Sequence, residues 1–88
     1  MKKEHLKKIE GQARFFVNDG TVIESLADLP KELRRMPTEV FEQHVSSQRH
    51  DFANWVDSTI GHKVLADKMR LCTSKVGLAK IVGQELKK

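Results

Sequence analysis

A single cysteine, Cys72, in a chain of 88 residues leaves this fold nothing but its own side chains to hold it together. No internal disulfide can form, so no disulfide framework compensates for a small core. Apolar burial has to supply the stability, and a chain of this length has room for one core. Only five aromatic side chains are available to build it: Phe15, Phe16, Phe41, Phe52 and Trp55. Each brings a large apolar area, so the core is expected to gather around them. The whole chain, residues 1–88, reads as one small globular domain. An unpaired cysteine fits a reducing compartment, so the expected location is cytoplasmic. The basic opening is followed by no apolar run, so it is not expected to act as a signal peptide. No stretch is long and apolar enough to span a membrane.

The clearest local signal is Asn18-Asp19-Gly20 between two β-prone runs. A three-residue hairpin loop needs a residue at positive φ, and Gly20 supplies it at little cost. Ala13, Phe15 and Val17 alternate onto one face. Such a hairpin is marginal alone and must lie on the rest of the chain.

Helical patterns occupy most of the remainder. Residues 2–10 form a short helix on Leu6 and Ile9, frayed or docked, ended by Gly11. Asp28 is the favoured N-cap of a helix to Met36, with Pro30 in its first turn. Thr38 caps the next helix, which carries Phe41, His44 and Val45 on one face. Residues 46–50 read as a loop, and Asp51 as the cap of a helix holding Phe52, Trp55 and Val56. Gly61 ends it. Two helices follow, Lys63 to Leu71 and, capped by Thr73 or Ser74, a last one to Leu86. Gly77 and Gly83 weaken that helix unless they serve close packing. The expected fold is mostly α in an α+β sense: a short N-terminal β-hairpin packed on four to five short helices. The expected core is Phe15, Val17, Val22, Leu26, Leu33, Phe41, Val45, Phe52, Trp55, Val56, Leu65, Met69, Val76 and Val82.

Part of this order resembles a known pattern. Phe16, Asp19-Gly20, Ser25-Leu26, Met36, Phe41, His44-Val45, Asp51-Phe52-Ala53, Trp55-Val56, Gly61 and Leu65-Ala66 resemble a group of small archaeal and bacterial domains of unknown function. Their signature is Phe-x-x-His-Val followed by Asn-Asp-Phe-Ala-x-Trp. The likeness covers about residues 15–67 and leaves both basic ends outside. It implies a fold and a structural role for Phe41, His44, Asp51, Phe52 and Trp55, and no activity. His50 stands where the pattern has Asn, so a capping role for that side chain is not expected.

Charge is unevenly spread. Residues 61–88 carry seven basic and two acidic side chains, while residues 11–60 carry five basic and eight acidic ones. Lys63, Lys68, Arg70, Lys75, Lys80, Lys87 and Lys88 are therefore the candidates for binding an anionic partner, with Arg34, Arg35 and Arg49 as extensions. No DNA- or RNA-binding motif accompanies them. Residues 68–75 have the layout of a helix-turn-helix joint without its glycine, so any such binding is phosphate-driven. His44, His50 and His62, with Cys72 as a fourth ligand, raise a zinc site, though no ligand pair has the i, i+4 or Cys-x2-Cys spacing. The plainer reading of His44 is a buried histidine bonded to a backbone or carboxylate group. Cys72 lies near a predicted helix N-terminus, but cysteine is among the most buried residue types, so a reactive thiol is not expected. Nor is there a phosphate loop. The expected function is a non-catalytic interaction module, protein-binding or self-associating, without cofactor. A nucleic-acid-associated protein and a histidine metal site are the alternatives.

Overall fold

The computed structural model describes residues 3–88. The helix expected over residues 2–10 is reduced to one 3-10 turn, Lys3–Leu6; residues 1 and 2 lie outside the described residues. Past that turn the backbone extends, and the Ile9 N–H donates to the Glu24 carbonyl at 2.6 Å. So short a helix gains little on its own, and a backbone hydrogen bond to the neighbouring strand end replaces it. Gly11, at φ +65°, opens a second 3-10 turn, Gly11–Ala13.

Strands β1 (Phe15–Phe16) and β2 (Val22–Ile23) then pair antiparallel, Phe15 opposite Ile23 and Phe16 opposite Val22. Val17 and Thr21 close the loop through Val17 N–H to Thr21 O at 2.8 Å, and Gly20 takes φ +95°, as its place in the turn requires. Phe15, Val17 and Ile23 face inward; Phe16, Val22 and Ala13 face out. Val22 is thus not core, at 38% exposure. The strand period is two, so the outward partner of Phe16 must itself point outward.

A 3-10 turn, Leu26–Asp28, runs directly into helix α1 (Leu29–Arg35). Asp28 holds the N-cap position with Pro30 in the first turn, but its carboxylate caps no N–H. Pro37 is the N-cap of α2 (Thr38–His44), which makes Thr38 the first helical residue and not the cap. The segment read as a loop contains a second small hairpin, β3 (Val45–Ser46) with β4 (Arg49–His50), tightened by Gln48 N–H to Ser46 Oγ. Helix α3 (Asp51–Trp55) follows and widens into a π-turn, Val56–Ile60, whose Val56 carbonyl accepts from both Gly61 and His62. Gly61, at φ +82°, turns the chain into α4 (Lys63–Arg70). Ser74 caps α5 (Lys75–Leu86) by accepting from Gly77 N–H at 3.2 Å. The architecture among the described residues is mostly α: five helices with an N-terminal hairpin packed on them.

The core forms around a ladder of rings. Phe15 stacks on Phe52 at 4.6 Å, Phe52 on Phe41 at 6.0 Å, and Trp55 meets Phe15 edge-on at 5.9 Å. Below it α1 packs along α5, with Leu29 and Leu33 on one helix and Leu78, Ala79 and Val82 on the other all buried. Of the expected core only Val22 and Val76 are outside. The α5 face is turned so that Leu78 enters where Val76 was expected; Val76, 71% exposed, shares the outward stripe with Lys80, Gln84 and Lys87.

The two α5 glycines differ. A Cβ on Gly77 would meet Cys72 Sγ at 2.9 Å, whereas one on Gly83 meets nothing within 4 Å. Gly83→Ala is expected to stabilise the domain by about 0.5–1 kcal/mol through helix propensity alone. Gly77→Ala should gain less or lose, because Cys72 has to move. Urea midpoints of the two variants check this, and equal gains would refute a packing role for Gly77.

Candidate functional site

The three histidines of the metal hypothesis are each held by separate partners. His44 Nε2 accepts from the Asn18 backbone N–H at 3.0 Å, so the proton is on Nδ1, which donates to Asp51 Oδ2 at 3.0 Å. A backbone amide can only donate, and this fixes the tautomer. His50 Nδ1 accepts from Ala53 N–H at 3.2 Å and its Nε2 donates to the Cys72 carbonyl at 3.0 Å. His62 repeats the device: Nδ1 accepts from Leu65 N–H at 3.3 Å and Nε2 donates to Glu85 Oε2 at 3.1 Å. Two imidazoles therefore cap α3 and α4, and the third ties the first hairpin to α2 and α3. They do not converge. Among the described residues no three His, Cys, Asp or Glu side chains are placed to hold a metal ion.

Asp51, expected as the helix cap, is instead the first residue of α3. Its carboxylate accepts from His44 and from Arg49 Nε at 3.1 Å. Burial works to raise its pKa, but the hydrogen bonds from Arg49 and His44 outweigh it and hold the carboxyl below its ordinary range. An Asp–His pair of this kind can orient a general base, yet here the second nitrogen is already taken by Asn18. The open cleft beside it, about 470 Å³, includes Ser46, whose Oγ accepts from the Gln48 N–H at 3.2 Å and is not hydrogen-bonded to His44.

His50 carries a pH dependence. Its burial, foremost, depresses the imidazole pKa below 6.5; the carbonyls of Cys72 and Met69 oppose this without cancelling it. The unfolded chain then binds the proton more readily than the folded one. Stability from this group is complete above pH 6.5 and falls as the pH drops below it, levelling off once the folded imidazole is protonated. His50→Asn keeps a capping side chain and removes the titration. Its unfolding free energy, measured by urea at a series of pH values, should fall less steeply below pH 6.5 than that of the parent. Identical slopes would refute the assignment.

The basic residues are mostly engaged. Arg70 bridges Asp57 and Asp67, both at 3.0 Å, and reaches Asn54 at 3.2 Å. Lys63 pairs with Asp67 at 3.6 Å, and the Lys75 ammonium donates to the Met36 carbonyl at 2.6 Å. Lys68 and Lys88 meet on Glu85 Oε1 at 3.6 and 3.2 Å. Arg35 pairs with Glu32, and Arg49 with Asp51. Lys80 and Lys87 are exposed on α5 and its end, and among the described residues their side chains make no ion pair or hydrogen bond.

A site that the charge count did not reveal lies between α4 and α5. It is an apolar cleft of about 360 Å³ lined by Cys72 and Ile81 and edged by Lys68, Leu71, Gln84, Glu85 and Lys88, with Leu71 and Cys72 in the link that follows α4. Glu85 is buried and fully partnered, Oε2 by His62 and Oε1 by the two lysines. Burial acts to raise its pKa, but hydrogen bonds from Lys88 and His62 and the nearby cations prevail and keep it below the ordinary glutamate value. At the rim Leu71 is 90% exposed, and Val64, one helical heptad earlier, is 63% exposed. That spacing was the available signal: Val64 and Leu71 share a stripe lying off the buried Leu65–Met69 stripe.

No helix among the described residues is long and apolar enough to cross a membrane. No protein-family model, curated protein or solved structure matches this chain.

Proposed function

We propose that this chain is a non-catalytic, cytoplasmic protein-interaction module that receives its partner in the cleft between α4 and α5. The observation that carries the reading is Leu71, almost fully in water at the mouth of an apolar cleft. Burying a leucine side chain recovers about 1.5–3 kcal/mol, which a partner covering the cleft would collect. A single exposed apolar residue needs no explanation; one beside an apolar hollow supplies both halves of a docking surface. His44, with both nitrogens in use, offers no free base, which favours a binding role over a catalytic one. The likeness of residues 15–67 to small archaeal and bacterial domains belongs to the same proposal: those residues are scaffold, and the cleft falls beyond them.

A nucleic-acid role rests on fewer groups than the charge count promised. Lys80 and Lys87 are its best contacts, and two phosphate contacts give a log–log salt slope of only about −2.

Selection of random peptides on the folded protein, with Leu71→Asp as counter-screen, tests the proposal. The substitution sits in solvent and leaves the core intact. Enriched peptides should lose at least about tenfold in affinity on L71D. Peptides that bind both forms equally, or no enrichment at all, would overturn it. A parent dimer that L71D dissociates would give the cleft to a second copy.

A further inference from the structure

We infer that the partner is a second copy of this chain, which lays its α4 antiparallel against α4 of the first about a two-fold axis passing between Asp67 and Lys68. This rests on the interaction reading above, in which Leu71 is the docking point, and names the occupant.

Helix α4 carries two apolar stripes. One of them, Leu65, Ala66 and Met69, is buried in the core. The other is in water: Val64 and Leu71 are exposed, and Asp67 and Lys68 between them are each about half exposed. Leu71 lies one residue past the helix, yet it keeps right-handed helical backbone angles, and its N–H donates to the Lys68 carbonyl at 3.2 Å. The four side chains therefore follow i, i+3, i+4 and i+7 along a single face.

That face is complementary to itself when reversed. In the antiparallel pairing Val64 meets Leu71 of the second copy and Leu71 meets its Val64. Asp67 meets its Lys68, and Lys68 its Asp67. Apolar falls on apolar and each charge on its opposite at all four positions. A two-fold interface demands this, because every contact between one position and another recurs with the two exchanged. The parallel pairing sets Asp67 on Asp67 and Lys68 on Lys68, which like-charge repulsion disfavours. Within the chain Asp67 already meets Lys63 at 3.6 Å and Arg70 at 3.0 Å, and Lys68 reaches Glu85 at 3.6 Å. The charges between copies thus join existing networks and set the register, while burial of Val64 and Leu71 supplies the affinity. Lys68 and Leu71 also edge the cleft, so the second copy stands at its mouth. One short helical face covers less than the roughly 800 Å² per partner of a stable interface, so the dimer is weak, with a Kd of roughly 0.1–1 mM.

Sedimentation equilibrium of the full chain between about 10 μM and about 2 mM brackets that range and should show the mass rising towards twice that of the monomer. Leu71→Asp should weaken association at least about tenfold. Its side chain is in solvent, so the fold survives, and a circular dichroism spectrum checks this. Asp67→Asn should weaken association about threefold and flatten its salt dependence. For the register, Val64→Cys and Leu71→Cys proteins, each also carrying Cys72→Ser, are mixed and oxidised at high concentration. Disulfides should join one variant to the other far more than either to itself. A chain that stays monomeric throughout would overturn the second copy and leave the interaction reading to the peptide selection above. A dimer that L71D leaves intact forms elsewhere and overturns the inference as well. An unchanged association constant in D67N, or a predominance of self-linked V64C, would overturn the antiparallel register.

Discussion

Replacing Phe52 by Ala is expected to destabilise the domain by about 3–5 kcal/mol, the range for deleting a buried aromatic ring. Phe52 is fully buried, stacked on Phe15 from the first hairpin and on Phe41 from α2, with the His44 ring tilted at 5.6 Å. Its own helix is α3. One side chain thus joins the three elements that flank the His44–Asp51 link, and its neighbours are rings that cannot collapse into the space left behind. A domain of this size has a total stability of about 4–13 kcal/mol, taking 0.05–0.15 kcal/mol per residue. The loss therefore removes from about a quarter to all of it. Urea denaturation of the parent and the variant reads it directly. Phe52→Leu, which keeps most of the volume, should cost less than about 1.5 kcal/mol. A loss below about 1 kcal/mol in F52A would mean that the ring ladder is not the centre of the fold.

The ladder was legible because aromatic residues are few and recur at helical spacing. Phe41, Phe52 and Trp55 each sit where the apolar periodicity places a core position. The hairpin was legible for a different reason: Asn18-Asp19-Gly20 combines an Asx turn with a residue free to take positive φ, and Asp19 Oδ1 does accept from Thr21 N–H at 2.9 Å. What failed was parity and rotation. Val22 and Ile23 are both apolar, so alternation alone could not say which faced inward; pairing to Phe16 and Phe15 decided it. In α5 nearly every turn carries apolar residues, and only the packing of α1 against it chose Leu78 over Val76. The cap of α3 failed because imidazole is not a usual capping group. Asp51 was the conventional choice, and His50 took the place because its Nε2 has a second acceptor in the Cys72 carbonyl.

The candidate site was less legible than the fold. Seven cations among 28 residues suggested a basic face, yet three of them meet acids that lie far away in sequence or on another turn: Asp57 for Arg70, and Glu85 for Lys68 and Lys88. Periodicity reports which side of a helix is apolar; it does not report where two helices diverge. The cleft is lined by Lys68 of α4, by Leu71 and Cys72 of the link after it, and by Ile81, Gln84 and Glu85 of α5, residues that are unremarkable one by one.

Trp55 separates burial from hydrogen bonding within one side chain. Its ring is 7% exposed against Phe15, and its Nε1–H donates to the Ala13 carbonyl at 2.8 Å across 42 positions of sequence. Trp55→Ala removes both and is expected to cost about 3–5 kcal/mol. Trp55→Phe keeps most of the apolar contact and removes the donor. Ala13 is exposed, so its carbonyl regains water and the penalty should be only about 1 kcal/mol. The two variants should also differ in where the structure loosens. The indole bond fastens the Gly11–Ala13 turn to α3; on either side the chain is held by Ile9 N–H to Glu24 O at 2.6 Å and by the Arg14–Glu24 ion pair at 3.6 Å, so the bond acts on the turn itself. Hydrogen exchange in W55F should therefore accelerate over residues 11–13 while the amides of α3 and α5 stay protected; in W55A both regions should open together. A W55A variant within about 1 kcal/mol of the parent would place the indole on the surface, free to stack on a ligand. A W55F variant as damaged as W55A would mean that the hydrogen bond to Ala13, not the ring, anchors the N-terminal segment to the core.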